Sequence, residues 1–303
     1  MKANEYKACR LCARNCGVDR SSSRGFCGMG DFPVISRAAL HFWEEPIISG
    51  TRGSGAVFFS GCSLACTFCQ NREISRGECG LPVSVEGLAK IMLDLKEEGA
   101  HNINLVTPTH FVPSIREAII LAKDAGLDIP IVYNTGSYDA RDTLRSLAGL
   151  VDIYLPDLKY FSSRAARLSK SPDYPAVARE AIAEMVEQTG EPKLNEEGLM
   201  KRGTVVRILL LPGHVAEAKL SLSYLYKTYG DRIFISLMSQ YTPMPGMPAP
   251  LDRRVTRAEY RELCDYAESL GVERCFVQDI SSATEAFIPD FDGTGVQNRY
   301  GKI

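Results

Sequence analysis

The chain has 303 residues, 45% hydrophobic and 24% charged, a balance that suits a globular protein of one large or two ordinary domains. Its 35 Lys and Arg nearly cancel its 37 Asp and Glu, leaving a formal net charge of −2. That argues against a broad nucleic-acid footprint or a polybasic membrane patch, both of which need excess positive charge.

The N-terminus, MKANEYKACRLC, lacks the apolar stretch of a secretory signal. No run approaches the ~20 apolar residues of a membrane span, so a cytoplasmic location is expected. Eight of the ten cysteines fall within the first 79 residues, and in a reducing compartment such spacing points to metal ligation before disulfides.

Residues 1–54 are polar, Cys-rich and Arg-rich, and read as a small metal-binding module ahead of one larger domain at 55–303. Within it, Cys9-x2-Cys12-x3-Cys16-x10-Cys27 supplies four thiolates, enough to close a zinc site or to hold a second iron–sulfur cluster. Arg10, Arg14, Arg20 and Arg24 interleave with these ligands and can offset their charge. Glu44 and Glu45 read as a solvated pair, with a substrate-facing role as the alternative. The Gly-rich run 50–55 precedes a strand instead of following one, so it signals tight packing and not a phosphate loop.

From residue 55, short apolar runs alternate with amphipathic stretches. The predicted strands are Ala56–Ser60, Asn102–Val106, Pro130–Tyr133, Asp152–Leu155, Val205–Leu211 and Ile233–Leu237, with Cys275–Val277 as a seventh. Their continuous branched and aromatic content suits strands covered on both faces. Between them, Ser84 caps a helix with Val85, Leu88, Met92 and Leu95 on one face, and Pro113 opens another. Further helices fit 141–148, 176–188 and 215–229, and Thr256 with Glu259 makes a capping box for the last. The polar segment EPKLNEEGLMKRG predicts a hairpin around Glu197-Gly198. Repeated strand–helix units imply a parallel sheet, and six or seven units imply an open, partial barrel.

The strongest motif is Cys62-Ser-Leu-Ala-Cys66-Thr-Phe-Cys69, directly after the first of these strands. Three thiolates on one loop can grip a single metal centre, and a cluster with three protein ligands leaves one iron open to a small molecule. Loops after barrel strands are where chemistry collects.

The C-x3-C-x2-C spacing with Phe68 before its last cysteine resembles the radical S-adenosylmethionine superfamily. The longer run SGTRGSGAVFFSGCSLACTFCQNREIS, preceded by HFWEEPI, is similar to the pyruvate formate-lyase activating enzyme-like subgroup; the N-terminal cysteines and FIPDFDGTGV fit it too. This resemblance implies an α/β fold, a partial (β/α)6 barrel. It implies a 4Fe–4S cluster on Cys62, Cys66 and Cys69, whose open iron chelates S-adenosylmethionine. One electron, from a donor such as flavodoxin or ferredoxin, would cleave the sulfonium to a 5′-deoxyadenosyl radical that takes hydrogen from a substrate.

The other strand ends then acquire expected roles. Thr107 and Thr109, in Thr-Pro-Thr-His, stand where much of the superfamily has Gly-Gly-Glu against the amino group of S-adenosylmethionine, and would have to substitute for it. His110 reads either as a substrate-side acid or base or as an exposed rim histidine. Asn134 and Thr135 suit hydrogen bonds to a ribose or carboxylate, or a simple turn. Asp157-Leu158-Lys159 resembles the Asp-x-Lys element of glycyl-radical activating enzymes, and the two charges pair with each other or with a zwitterionic ligand. Arg207, inside VVRILLL, must find a partner, most naturally a carboxylate, and the resemblance implies an Arg here near the cofactor. Gln240 falls near the adenine side, and 243–250 (PMPGMPAP) reads as a lid or a linker. The expected substrate is a glycyl radical enzyme or other protein, or a small molecule. A non-catalytic zinc or iron–sulfur protein in assembly or sensing is the alternative function.

Overall fold

The computed structural model describes residues 2–278 and 289–296. Among the described residues, ten strands form one open sheet: β1 (Val34–His41), β2 (Ser54–Phe59), β3 (Leu81–Pro82), β4 (Ile103–Val106), β5 (Ile131–Thr135), β6 (Ile153–Pro156), β7 (Lys193–Leu194), β8 (Met200–Leu209), β9 (Phe234–Met238) and β10 (Cys275–Val277). Seven of them run parallel, in the order β2-β4-β5-β6-β8-β9-β10. The two ends of the sheet do not pair, so the architecture is the expected partial barrel.

The parallel strands are those predicted, because each carries a largely apolar run that suits a doubly covered position. β2, β4, β5 and β6 are buried at every residue. Helices cover the outside. Ser84 caps Val85–Glu97 by accepting a bond from the Gly87 amide, and the Thr256–Glu259 capping box closes reciprocally at the start of Arg257–Leu270. The polar segment after the Tyr174–Thr189 helix is the predicted hairpin, β7 folding antiparallel onto the start of β8.

The sequence reading placed no strand before residue 55, whereas β1 pairs antiparallel with β2 and carries β3 on its other side. Its register slips between Ile35 and Arg37, and that bulge breaks the inward–outward alternation by which a strand is recognised. The FIPDFDGTGV run bears on β1 as well. The Ala38 amide donates to the Thr294 carbonyl, and the Gly293 amide to the Ser36 carbonyl. Its first residues, 287–288, lie outside the described residues. Gly295 (φ +74°) has to be glycine, since a Cβ there would sit 1.8 Å from the Ala38 carbonyl oxygen. Among the described residues, no helix is long and apolar enough to cross a membrane.

Candidate active site

A cavity of about 420 Å³ opens at the C-terminal ends of the parallel strands. Its lining includes Cys62, Cys66 and Cys69 from the loop after β2, and Thr107 and Thr109 after β4. Asn134 and Thr135 reach it from β5, Asp157 and Lys159 from beyond β6, Arg207 from β8 and Gln240 from beyond β9. The three cysteines and the eight residues the sequence suggested for cofactor binding therefore share one chamber. Cys9, Cys12, Cys16 and Cys27 do not line it.

The cysteine loop is seated by its apolar members. Leu64 and Phe68 are buried in the second hydrophobic cluster, with the Phe68 ring 6.3 Å from Tyr160 and 6.2 Å from Tyr241 at edge-on angles. Ser169 Oγ lies 2.8 Å from Cys66 Sγ, and the Thr67 amide donates to the Leu168 carbonyl at 2.8 Å. The preceding Gly61 (φ +85°) abuts the N-terminal module, where a Cβ would fall 2.4 Å from Met29 Cγ and 2.8 Å from the Cys27 carbonyl.

Burial, reinforced by Cys66 and Cys69, pushes the Cys62 thiol up to about 12, and burial raises the Cys66 thiol as well. The three-thiol donor set fits an iron–sulfur cluster, with an open, polar chamber beside it for the ligand of its remaining iron. Among the described residues, no three His, Cys, Asp or Glu side chains already surround a single-ion position. Cluster ligands sit on different irons and do not need that spacing.

Opposite the cysteines lies a buried ionic network. Arg207 Nε donates to Asp157 Oδ1 at 3.1 Å, Nη1 to Glu44 Oε2 at 3.1 Å and Nη2 to Asn134 Oδ1 at 2.5 Å. Lys159 Nζ pairs with the other Asp157 oxygen, and Glu44 Oε1 accepts from Asn104 Nδ2 at 2.9 Å. Burial pushes the Asp157 carboxyl up, but Lys159 and Arg207 outweigh it and hold the group below its usual range. Burial pushes Lys159 the other way, and Asp157 with Cys66 keeps the ammonium charged.

Glu44 and Glu45 are the main departure from expectation. Neither is solvated: Glu44 is 9% exposed at the side chain and Glu45 is 8% exposed overall. Arg207 required a carboxylate, but nothing local in the sequence identified Glu44, 163 positions away, as a supplier. Burial raises the Glu45 carboxyl above its usual range, opposed by Arg207 and helped by Glu44, and its Oε2 has no hydrogen-bond partner among the described residues.

A second hub went unnoticed in the sequence. Asp139, 3% exposed, accepts from Thr109 Oγ1, Tyr133 Oη and Thr135 Oγ1, each at 2.7 Å. It thereby fixes two threonines of the chamber wall. Thr107 is held at φ 59°, rare for a β-branched residue, with its amide bonded to the Asn134 carbonyl at 2.8 Å.

His110 is neither rim-exposed nor a lining residue of the chamber. It is 1% exposed, with Nε2 2.7 Å from the Ser60 carbonyl, and burial with Arg20 nearby drives it down to about 3. Residues 243–250 do not line the chamber; Pro250 packs against Gly213 instead, where a Cβ would meet it at 2.7 Å.

A partial α/β barrel with a three-cysteine loop on its first parallel strand, facing a polar chamber, defines a class of cluster-dependent enzymes. Residues 56–219 match the family model of the radical SAM superfamily, and the chain belongs to that superfamily. Membership implies S-adenosylmethionine and a 4Fe–4S cluster. The chain is 28% identical over 284 residues to an uncharacterized protein of Methanocaldococcus jannaschii, covering 89% of this chain and 77% of that one.

Its fold is similar to a radical SAM methyltransferase from Sphaerobacter thermophilus, with a TM-score of 0.51, 17% identity, and 76% of this chain covered against 69% of that one. It is similar also to anSMEcpe with bound AdoMet, with a TM-score of 0.53, 13% identity, and 72% covered against 61%. The chain covers 48% of Streptococcus suis SuiB, so it spans about half the length of that protein.

Proposed function

We propose that this chain holds a 4Fe–4S cluster on Cys62, Cys66 and Cys69, binds S-adenosylmethionine in the adjoining chamber, and takes a hydrogen atom from a substrate there. Bound together and reduced by a donor such as flavodoxin or ferredoxin, the two cofactors supply a hydrogen-abstracting radical. The observation that carries the reading is the convergence of the three thiols with Thr107, Asn134, Asp157, Lys159 and Arg207 on one cavity.

The chain's own contribution is placement and charge balance. Two carboxylates, Glu44 and Asp157, offset two cations, Arg207 and Lys159, so the wall is polar yet near neutral. Such a wall suits a zwitterionic amino acid group, which can exchange with the internal pairs at little electrostatic cost. Thr109 and Thr135, pinned by Asp139, present their positions without rotamer searching, which lowers the entropy cost of binding. Gln70 donates to the Gln240 carbonyl at 2.8 Å and so ties the cysteine loop to the far wall.

The finer reading is activation of a glycyl radical enzyme, supported by Asp157-Leu158-Lys159 and its resemblance to such activators. The N-terminal Cys9, Cys12, Cys16 and Cys27 hold a second metal in this reading, zinc or iron–sulfur, and the protein acts in the cytoplasm.

Anaerobic protein reconstituted with iron and sulfide, then given dithionite and S-adenosylmethionine, should release 5′-deoxyadenosine. Fully loaded protein that forms none would overturn the enzymatic reading. A glycyl radical seen by electron paramagnetic resonance on a co-purifying protein would support the finer one, and its absence from every glycyl radical enzyme offered would sink it.

A further inference from the structure

The four N-terminal cysteines fall on one tightly turned segment, where, among the described residues, no three of them yet surround a single-ion position. Cys9, Cys12 and Cys27 are each no more than 8% exposed. Cys12 is close enough to feel Cys27, Cys9 and Cys16, and Cys27 to feel Cys9 and Cys16. The chain between them turns tightly: the Cys9 amide donates to the Val18 carbonyl at 3.0 Å, and the Gly17 amide to the Cys9 carbonyl at 2.9 Å. The Phe26 amide points at Cys16 Sγ from 3.4 Å.

This module does not hang from the barrel; it is bonded into the radical loop. Arg14, between Cys12 and Cys16, lies over the Phe26 ring at 3.8 Å and the Tyr138 ring at 5.2 Å. From there Nε donates to the Ser63 carbonyl at 2.9 Å, one residue after Cys62. Nη1 donates to the Lys170 carbonyl at 3.0 Å and Nη2 to Ser171 Oγ at 2.6 Å. Ser171 Oγ in turn donates to the Ser169 carbonyl at 3.0 Å, and Ser169 is the residue beside Cys66 Sγ. One guanidinium thus grips both the radical loop and the segment that braces it, in the fixed fork that only arginine provides.

Other bonds run in parallel. Cys12 forms an isolated antiparallel bridge with Asp139, the Ala13 amide donating to the Tyr138 carbonyl at 3.2 Å and the Ala140 amide to the Leu11 carbonyl at 3.3 Å, and this is the same Asp139 that pins Thr109 and Thr135. Buried Arg20 donates to the Met29, Gly30 and His110 carbonyls, and His110 meets the Ser60 carbonyl just ahead of the radical loop. The Cys27 carbonyl forms part of the seat under Gly61.

We infer that metal bound by Cys9, Cys12, Cys16 and Cys27 clamps the radical loop through Arg14, so that filling the N-terminal site sets the geometry of Cys62, Cys66 and Cys69. This rests on the proposed N-terminal metal. A bound metal fixes the turn that carries Arg14, and Arg14 transmits that order to Ser63 and to the 169–171 brace. Residues that orient metal ligands through hydrogen bonds change metal retention about 10- to 100-fold when removed.

The test uses the full chain, reconstituted anaerobically with iron and sulfide and with zinc. Metal content is measured, and the electron paramagnetic resonance signal that shifts on addition of S-adenosylmethionine is followed during chelation. Wild-type protein is expected to hold zinc or iron beyond one 4Fe–4S cluster. Arg14→Ala should keep that extra metal and wild-type circular dichroism, yet lose the shifting signal about 10- to 100-fold faster. Cys12→Ser with Cys27→Ser should lose the extra metal and accelerate decay at least as much as Arg14→Ala, and adding Arg14→Ala should give less than the product of the two effects, because the Arg14 connection is shared between them. Extra metal present with unchanged decay in Arg14→Ala overturns the clamp and leaves the N-terminal metal standing. No extra metal in the wild type overturns both.

Discussion

Removing Arg207 tests whether the chamber wall is a mutually neutralising network. Arg207→Met keeps the length and apolar stem of the side chain but takes away the cation that faces Glu44 and Asp157 at 3.1 Å each. The Arg207 and Glu44 side chains are only 12% and 9% exposed, so water cannot take over. Stranding a buried charge costs about 3–5 kcal/mol. Asp157 retains Lys159, so most of that cost should fall on Glu44. Adding Glu44→Gln removes the stranded charge, and the double variant should recover about half or more of the loss. Urea unfolding of anaerobically reconstituted protein, followed by the fluorescence of Trp43, the single tryptophan, measures the cycle at matched slopes. A single variant within about 1 kcal/mol of wild type, or a double variant at the sum of the two singles, would refute the argument.

Cys66→Ala should abolish the cluster signal and 5′-deoxyadenosine formation while leaving N-terminal metal in place, as metal analysis and spectroscopy will show. Gly61→Ala combines a left-handed φ of +85° with a Cβ 2.8 Å from the Cys27 carbonyl, and should cost about 1–3 kcal/mol together with cluster occupancy, read by iron content and unfolding midpoint. His110 must be neutral in the folded chain; its folded value of about 3 lies below the unfolded 6.5, so its contribution is complete above 6.5 and fades as pH falls. At 1.36 kcal/mol per unit, wild type should lose about 2 kcal/mol relative to His110→Asn between pH 6.5 and 5, and equal pH profiles for the two would contradict that. Thr256→Ala breaks the capping box and should lower stability by about 1 kcal/mol without touching S-adenosylmethionine binding, checked by calorimetry of both processes.

Much of the architecture was legible in the residues because it follows from short-range physics. A strand such as β4 is apolar but for Asn104, and a helix such as Val85–Glu97 carries its own cap, so neither depends on distant partners for recognition. The cysteine loop was equally plain, since its ligands sit within eight residues and directly after a strand. β1 escaped notice because its bulge breaks the alternation, and a strand of mixed polarity is defined by the neighbour it pairs with.

What the chain determined by itself, then, is a run of parallel strands, a loop of three closely spaced cysteines directly after one of them, and the residue types that collect at strand ends. What only the tertiary structure decided is partnership. Arg207 announced a need for a carboxylate, yet folding alone brought Glu44 to it across 163 positions, and turned an apparently solvated pair into part of the chamber wall. Asp139 became the hub of two threonines, and Arg14 became a bridge between two cysteine groups, for the same reason. Local propensity and periodicity are properties of neighbouring residues, whereas charge pairing in a low-dielectric interior depends on distances that exist only once the barrel has formed.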